Sequence, residues 1–421
     1  MAVWRCLQSV AANWLTPSRA IRNEVSMKSL ARPATLLLLL APACRDQSGP
    51  ITGPDEPALA TAGVAAKTLT FSQVAAGSNH TCAITADGRA WCWGQNDSGQ
   101  LGTGDFTSVT TPTPVAGGLR FTQIRADYEF TCAIATDDRG YCWGANDKGQ
   151  LGDGTTTQRV MPKAVAGGRR FRHLATGFVH ACAVTFADVG FCWGWNNQGQ
   201  VGDGTTTQRL KPVRVAGGLA FLRIVPGGNT TCGLTTGNAA YCWGRNDEGA
   251  LGDGTTTQRL THTPVAGNRR YQHLVSDGGS TCGVTLTHVA FCWGWNTSGQ
   301  LGDGTQTQRL VPTRVATDTR FIAVSMGSAH ACGVSEGHRA WCWGFNGNGQ
   351  LGDGTFSTRS VPAPVAGAQQ FIALNSPGGN SHSCGVTSSG SLYCWGLNLY
   401  AQIGDGTFTN RPAPVKVTGS I

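Results

Sequence analysis

The sequence predicts an all-β fold, a seven-bladed β-propeller with four antiparallel strands and one disulfide per blade, on three observations. The first is a period. Cysteines stand at Cys82, Cys132, Cys182, Cys232, Cys282, Cys332 and Cys384, five intervals of 50 residues and a last one of 52. A fixed period of this size over seven copies marks a repeat architecture. The second is the content of each unit: four short apolar runs divided by Gly, Asn and Asp, without a 3.6-residue apolar period. Four strands taken seven times make a propeller, in which neighbours bury the faces that one blade cannot bury alone. The third is a second cysteine ten positions after each of the first set: Cys92, Cys142, Cys192, Cys242, Cys292, Cys342 and Cys394. An open β-solenoid is the alternative for such a period, and its coils are usually shorter.

The unit from Phe171 to Gly217 serves as the type. Its runs are Phe171–Ala175, Ala181–Thr185, Gly190–Gly194 and Lys211–Ala216, each too short for a helix and rich in aromatic or β-branched residues. In the first unit the paired cysteines flank a hairpin with the three-residue loop Ala86-Asp87-Gly88, Gly88 taking the left-handed conformation. That loop sets Cys82 opposite Cys92, at the ~4.5–5.5 Å Cα spacing of facing strand positions, within disulfide reach. Seven such bridges follow, each worth roughly 2–3 kcal/mol through restriction of the unfolded chain. Paired cysteines this far apart lack the close spacing of zinc sites, and no metal or cofactor is expected. The chain ends on Pro414-Val415-Lys416-Val417, a fourth-strand signature, and Gly63-Val64-Ala65-Ala66 echoes the end of a unit. One of these two is expected to pair with the blade at the opposite end and close the ring.

Residues 1–44 read as a leader. Met27 opens the more sensible start, with Lys28 and Arg32 as a basic region, Ala34 to Leu40 as an apolar core and Ala41-Pro42-Ala43-Cys44 as a small-residue end. This resembles a bacterial lipoprotein signal peptide with Cys44 as the lipidated residue, although Ala41 stands where that pattern carries Leu. Ordinary signal cleavage is the alternative. Residues 45–66 are a flexible linker rich in Pro, Gly, Ala and Thr, and residues 67–421 are the propeller. Sixteen cysteines resolve into seven pairs, Cys44, and Cys6 in the leader. Disulfides and an export signal support one another and point to the bacterial cell envelope. The formal charge of +8 falls to +4 without residues 1–44, since five basic residues and one acid leave with them. That is too mild to argue for nucleic acid.

The string Cys-Trp-Gly-x-Asn-x-x-Gly-Gln-Leu-Gly-Asp-Gly-Thr occurs at Cys142, Cys292 and Cys342, preceded by Gly-x-x-His two residues before a cysteine at Gly77–Cys82 and Gly327–Cys332. This pattern resembles the regulator of chromosome condensation repeat, over all seven units. The resemblance implies a seven-bladed propeller. Its members differ in function: the eukaryotic founder acts on a nuclear GTPase and binds chromatin, and the β-lactamase inhibitor protein II binds an enzyme through one face. The paired cysteines depart from the nuclear members and suit an exported bacterial branch. The fold transfers and the activity does not.

Within the frame, Asp153 and Arg159 lie six apart. The same pair recurs as Asp203 with Arg209, Asp253 with Arg259, Asp303 with Arg309, Asp353 with Arg359, and Asp405 with Arg411. Unit one has Thr103 and Val109 instead. These read as loop-bracing ion pairs, because one carboxylate per loop is too few ligands for calcium. His80, His180, His330 and His382 are expected to make structural hydrogen bonds, and the repeated Trp to pack blade on blade. The positions that vary inside the fixed frame are the candidate partner-binding rim: Tyr128, Glu129, Phe178, Val179, Asn229, Ser328 and Asn380. No unit stands out by a cluster of Asp, Glu, His or Tyr, which argues against catalysis. The expectation is a non-enzymatic, monomeric protein-binding scaffold, exported and held to the membrane by a lipid. The alternatives are a lectin-like glycan binder, a polysaccharide-active enzyme using the central channel, and, for an intracellular protein, a nucleotide-exchange-like regulator.

Overall fold

The structure, a computed structural model, describes residues 69–376 and 382–418. The leader, the linker, Cys44 and Asn380 lie outside the described residues. Seven four-stranded antiparallel sheets follow one another along the chain, each built from four consecutive strands. Residues from all seven first strands line a common central cavity, so the first strand of every blade is the inner one. In blade three the strands are Phe171–Thr176, His180–Thr185, Gly190–Gly194 and Arg209–Arg214. The outer strand therefore starts two residues earlier than its apolar run, because Arg209 pairs with Gly194 in the sheet.

The hairpins have the geometry that the cysteine spacing requires. Cys82 faces Cys92 directly, and Thr85 and Arg89 close the loop through a 2.9 Å backbone bond. Gly88 is left-handed at φ 81°, and Asp138, Asp188, Asn238, His288 and His338 hold the same turn at φ 59–68°. All seven disulfides form inside their blades, with Cα separations of 4.0–4.1 Å, slightly tighter than expected.

The core is divided into seven layers between blades. The disulfide of one blade packs against the inner-strand aromatic and the Trp of the next, as Cys82 and Cys92 do against Phe121 and Trp143. Each of these Trp side chains is fully buried, and six indoles donate to a backbone carbonyl of the preceding blade, for example Trp243 Nε1 to Gln200 O at 3.0 Å. Gly202 approaches that ring so closely that a Cβ there would stand 2.5 Å from Trp243 Nε1.

Ring closure corrects the C-terminal half of the expectation, since Arg411–Lys416 pairs within its own blade, while Gly63–Ala66 lies outside the described residues. Among the described residues no strand is shared between the ends. Blade seven meets blade one through the same layer as every other pair: Cys384, Cys394 and Ile403 against Phe71 and Trp93. The seam repeats the polar contacts too. Trp93 Nε1 and Thr81 Oγ1 donate to Gln402 O at 3.0 and 2.7 Å, and the seam adds a bond of its own from Ala76 N to Asn375 Oδ1 at 2.8 Å. A seam this complete needs no borrowed strand.

Candidate functional site

Antiparallel order fixes which loops share a face. Loops between the first and second strands, and between the third and outer strands, emerge on one face; hairpin loops and inter-blade connections emerge on the other. The Asp–Arg pairs occupy the long loops of the first face. In blade three Asp203 accepts from Arg209 Nε at 2.6 Å, Thr205 Oγ1 at 2.7 Å and Thr205 N at 3.0 Å. Burial pushes this carboxyl up, but the bonds from Thr205 and Arg209 overcome it and hold it below the usual range. The other five pairs form as the spacing predicts. Arg159 reaches Asp153 at 2.6 Å, Arg259 reaches Asp253 at 2.9 Å, and Arg309 reaches Asp303 at 2.7 Å. Arg359 reaches Asp353 at 3.1 Å, the longest of the six and the most open to solvent on the arginine side, and Arg411 reaches Asp405 at 2.6 Å. In all six the carboxylate is buried and the guanidinium partly exposed, so the arginine covers its aspartate from outside.

Blade one exchanges the two residues: Thr103 stands where the others have Asp, and Asp105 two residues on accepts from Thr103 Oγ1 at 2.9 Å and Thr107 N at 3.0 Å. The loop keeps its carboxylate and does without the arginine. These groups are braces.

The histidines are also absorbed by the frame. His80, His180, His330 and His382 place Nε2 at 2.8–3.0 Å from Thr131, Thr231, Ser383 and Thr81 of the following blade. Those hydroxyls donate onward to backbone carbonyls, as Thr231 does to Gln200 O at 2.7 Å, so each accepts the imidazole N–H. Burial pushes His80, His180 and His382 down to about 3 and His330 to about 4, so all are neutral. Where the next blade offers Ala181 or Ala331 instead, the position holds Phe130 or Ser280. Among the described residues no group of three His, Cys, Asp or Glu is arranged to hold a metal.

On the same face the candidate rim residues separate into two groups. Tyr128 and Phe178, on neighbouring blades, stack with ring centroids 4.0 Å apart. Phe178 is 36% exposed. Glu129 accepts from Ser98 Oγ at 3.1 Å, and Val179 is half-buried beside Phe178. Phe178, Asn229 and Ser328 then line a cavity of about 240 Å³ together with Arg245, Glu248 and Asp277. A second aromatic set was missed in the sequence. Phe106, Phe356 and Phe408 are 50%, 54% and 59% exposed, on the long loops of blades one, six and seven. The signal was available, since these replace the Thr of Gly-Asp-Gly-Thr-Thr.

The channel holds what the sequence reading overlooked. Its wall carries Gln73, Gln123, His173, Arg223, His273, Ala323 and Ala373 in one tier, with Arg125 two residues further along. At the mouth on the rim side stand Asp127 and Asp277, where other blades have glycine. Gly77 needs that freedom because a Cβ there would run into the His80 ring, and blades two and five carry Phe130 and Ser280 in place of that histidine. Burial pushes Asp127 up to about 7 and Asp277 well above the carboxylate range, the latter also through Asp127. No single unit carries a cluster; single residues from different units meet in the channel. Charged residues at equivalent strand positions in different units look scattered along the chain and converge only when the ring closes.

Against proteins of known family and structure, residues 45–333 match the model described as RCC1-like domain. Residues 321–350 and 378–402, and residues 338–386, match models of the regulator of chromosome condensation (RCC1) repeat. Human WBSCR16 is similar in structure at a TM-score of 0.69 and 19% identity, covering 76% of this chain and 88% of that one. Prp20p from Saccharomyces cerevisiae gives 0.65 at 22% identity over 76% and 83%. The CRINKLY WD40 ectodomain of the Arabidopsis thaliana receptor kinase ACR4 gives 0.52 at 19% identity over 83% and 99%.

Proposed function

On the premise that the chain belongs to the regulator of chromosome condensation (RCC1) repeat family, we propose that it is a non-enzymatic scaffold that binds a protein partner through one face of its ring. The observation that carries this is the stacked Tyr128–Phe178 pair, beside the cavity formed by Asn229, Ser328 and Asp277. An aromatic pair flanked by hydrogen-bonding and charged groups is the composition of an interface centre. Relatives support a binding role: Prp20p is described with binding properties to Gsp1p and histones, and Kap60 has been solved bound to yeast RCC1.

The reading continues to location. Seven disulfides suit an oxidising compartment, and the small-residue end at Cys44 suits lipid attachment, so the scaffold is proposed to work as a monomer in the bacterial envelope. Intact-mass measurement of membrane-extracted protein tests this: a chain starting at an acylated Cys44, with fourteen thiols appearing on reduction, is expected. A chain retaining residues 1–43 with free thiols overturns it.

The binding reading is tested by placing a photo-crosslinking residue at Phe178 and, separately, at the exposed Phe186 on the opposite face. One partner is expected to crosslink through 178 alone and to be lost in the Tyr128→Ala variant at unchanged melting temperature. Equal capture from both faces overturns it.

A further inference from the structure

We propose that the central channel is a binding site for a small oxyanion of phosphate chemistry, inorganic phosphate or a small phosphate monoester, held by Arg125, Arg223, His173 and His273. Independent of the rim, this site rests on three observations.

The four side chains belong to the inner strands of four consecutive blades and line one cavity of about 340 Å³. That is roomy for a single tetrahedral anion and leaves space for a small organic group on it.

They are also almost without partners. Arg125 Nη1 donates to Ile124 O at 2.8 Å. Among the described residues Arg223, His173 and His273 make no side-chain hydrogen bond or ion pair, and the Nδ1 atoms of both histidines are buried and unpaired. The contrast with the rest of the chain is sharp, since six arginines of the outer strands each hold a carboxylate. Enclosed guanidinium groups without a counter-charge are unfavourable, and a planar donor fork fits a phosphate. The surrounding charges bear this out. Burial and then Arg223 push Arg125 down to about 10. Burial, then Arg223 and Arg125, push His273 down to about 3, and burial, then Arg125 and Arg223, push His173 well below its usual value, with Arg172 and His273 adding to it. Arg172 is engaged with Asp188 and Phe221 O, both at 2.6 Å. Arg125 also lines the mouth where Asp127 and Asp277 stand, and each of these carboxyls is pushed toward its neutral form by burial, so neither supplies a full counter-charge.

The third observation is what the repeat gives up. In blades one and two this position is a glutamine that ties the inner strand to its neighbour. Gln73 donates to Thr122 O at 2.7 Å and accepts from Ile124 N at 3.3 Å, and Gln123 accepts from Leu174 N at 2.8 Å. In blades three to five His173, Arg223 and His273 replace the glutamine and leave that tie unmade. A structural bond is exchanged for an unpaired basic group three times in succession, all facing one space.

The test is titration calorimetry of the full chain with inorganic phosphate and with glycerol phosphate at pH 7, against sodium chloride of equal ionic strength. One site per chain is expected, weakened at least tenfold by Arg125→Gln and by Arg223→Gln. Arg223→Gln is expected to fold, because glutamine already occupies that position in blades one and two, and an unchanged melting temperature is the control for Arg125→Gln. Bound anion also raises the histidines, so at pH 6 the heat is expected to depend on the ionisation enthalpy of the buffer, through proton uptake that the double variant His173→Gln with His273→Gln removes. Tighter binding of the monoester identifies an organic phosphate, and equal or tighter binding of phosphate itself identifies the free anion. Absence of binding by both at 10 mM, or binding that both arginine variants retain in full, overturns the proposal.

Discussion

The hydrogen bond from His180 to Thr231 is a link between blades whose contribution can be worked out in advance. Thr231→Ala removes the acceptor of the His180 Nε2–H, which lies 2.8 Å away in a fully buried site. The other end of the chain of bonds survives, because Gln200 O still accepts from Trp243 Nε1 at 3.0 Å. The cost is therefore mainly that of one buried donor without a partner, roughly 1–3 kcal/mol. The frame suggests the remedy, since blades two and three meet at this point through Phe130 and Ala181, both fully buried. His180→Phe in the Thr231→Ala background replaces both polar partners with apolar ones and is expected to recover most of the loss. Urea unfolding at pH 7 of the disulfide-intact parent, both single variants and the double variant, followed by tryptophan fluorescence, gives the four midpoints and the coupling energy. A loss below about 0.5 kcal/mol for Thr231→Ala, or a double variant as unstable as the two losses added, refutes the reasoning.

Four further outcomes are expected. Stability falls as pH drops below 6.5. The histidines at positions 80, 180, 330 and 382, held down at about 3 or 4 by burial, are neutral when folded and charge on unfolding, each contributing about 1.4 kcal/mol per pH unit until its folded value is reached. His173 and His273 add to the same side. Asp127, raised to about 7, acts in the opposite sense between about pH 4 and 7, and Asp277, also raised by burial, acts in the same direction as Asp127; two groups against six leave the histidines in control, and a midpoint flat from pH 7.5 to 4.5 refutes this. Gly202→Ala, whose Cβ meets the Trp243 indole at a left-handed φ of 75°, lowers stability by roughly 2–4 kcal/mol in the same urea assay. Asp203→Asn, which breaks the charge-assisted bond to a partly exposed Arg209, costs about 1–2 kcal/mol. Replacing Cys182 and Cys192 together by Ala lowers stability by roughly 2–4 kcal/mol, through chain entropy and lost packing against Trp243.

The parts legible in the sequence were those repeated in every unit. Seven cysteine pairs, each ten residues apart, give the hairpins, their loops and their bridges, because a turn of known length fixes which residues face each other. The six Asp–Arg spacings are local, and each pair from Asp153 with Arg159 to Asp405 with Arg411 could be read within one loop. The outer strand was misplaced because its apolar run begins inside the strand, while its start is fixed by pairing to Gly194. The seam between blades seven and one was misjudged because nothing in a repeat tells whether its ends share a strand. The channel was missed for a different reason. Arg125, His173, Arg223 and His273 each look like one odd residue in an otherwise regular strand, and only the circular arrangement makes neighbours of residues about fifty positions apart. The exposed aromatics Phe106, Phe356 and Phe408 were overlooked because the rim was read from the short loops alone.

Because each described sheet is made from four consecutive strands, the unit of folding and the unit of sequence repetition begin and end in the same place. A propeller that borrows a strand across its ends ties one particular blade to both termini, and a duplicated or deleted segment must respect that tie. Among the described residues no blade has that status. A recombination between any two units that keeps the phase adds or removes a whole sheet with its own bridge, its own Trp and its own half of two seams. The same property means that the ends could be joined and the chain cut at another inter-blade connection, such as the one after Val265, without asking any strand to change partners.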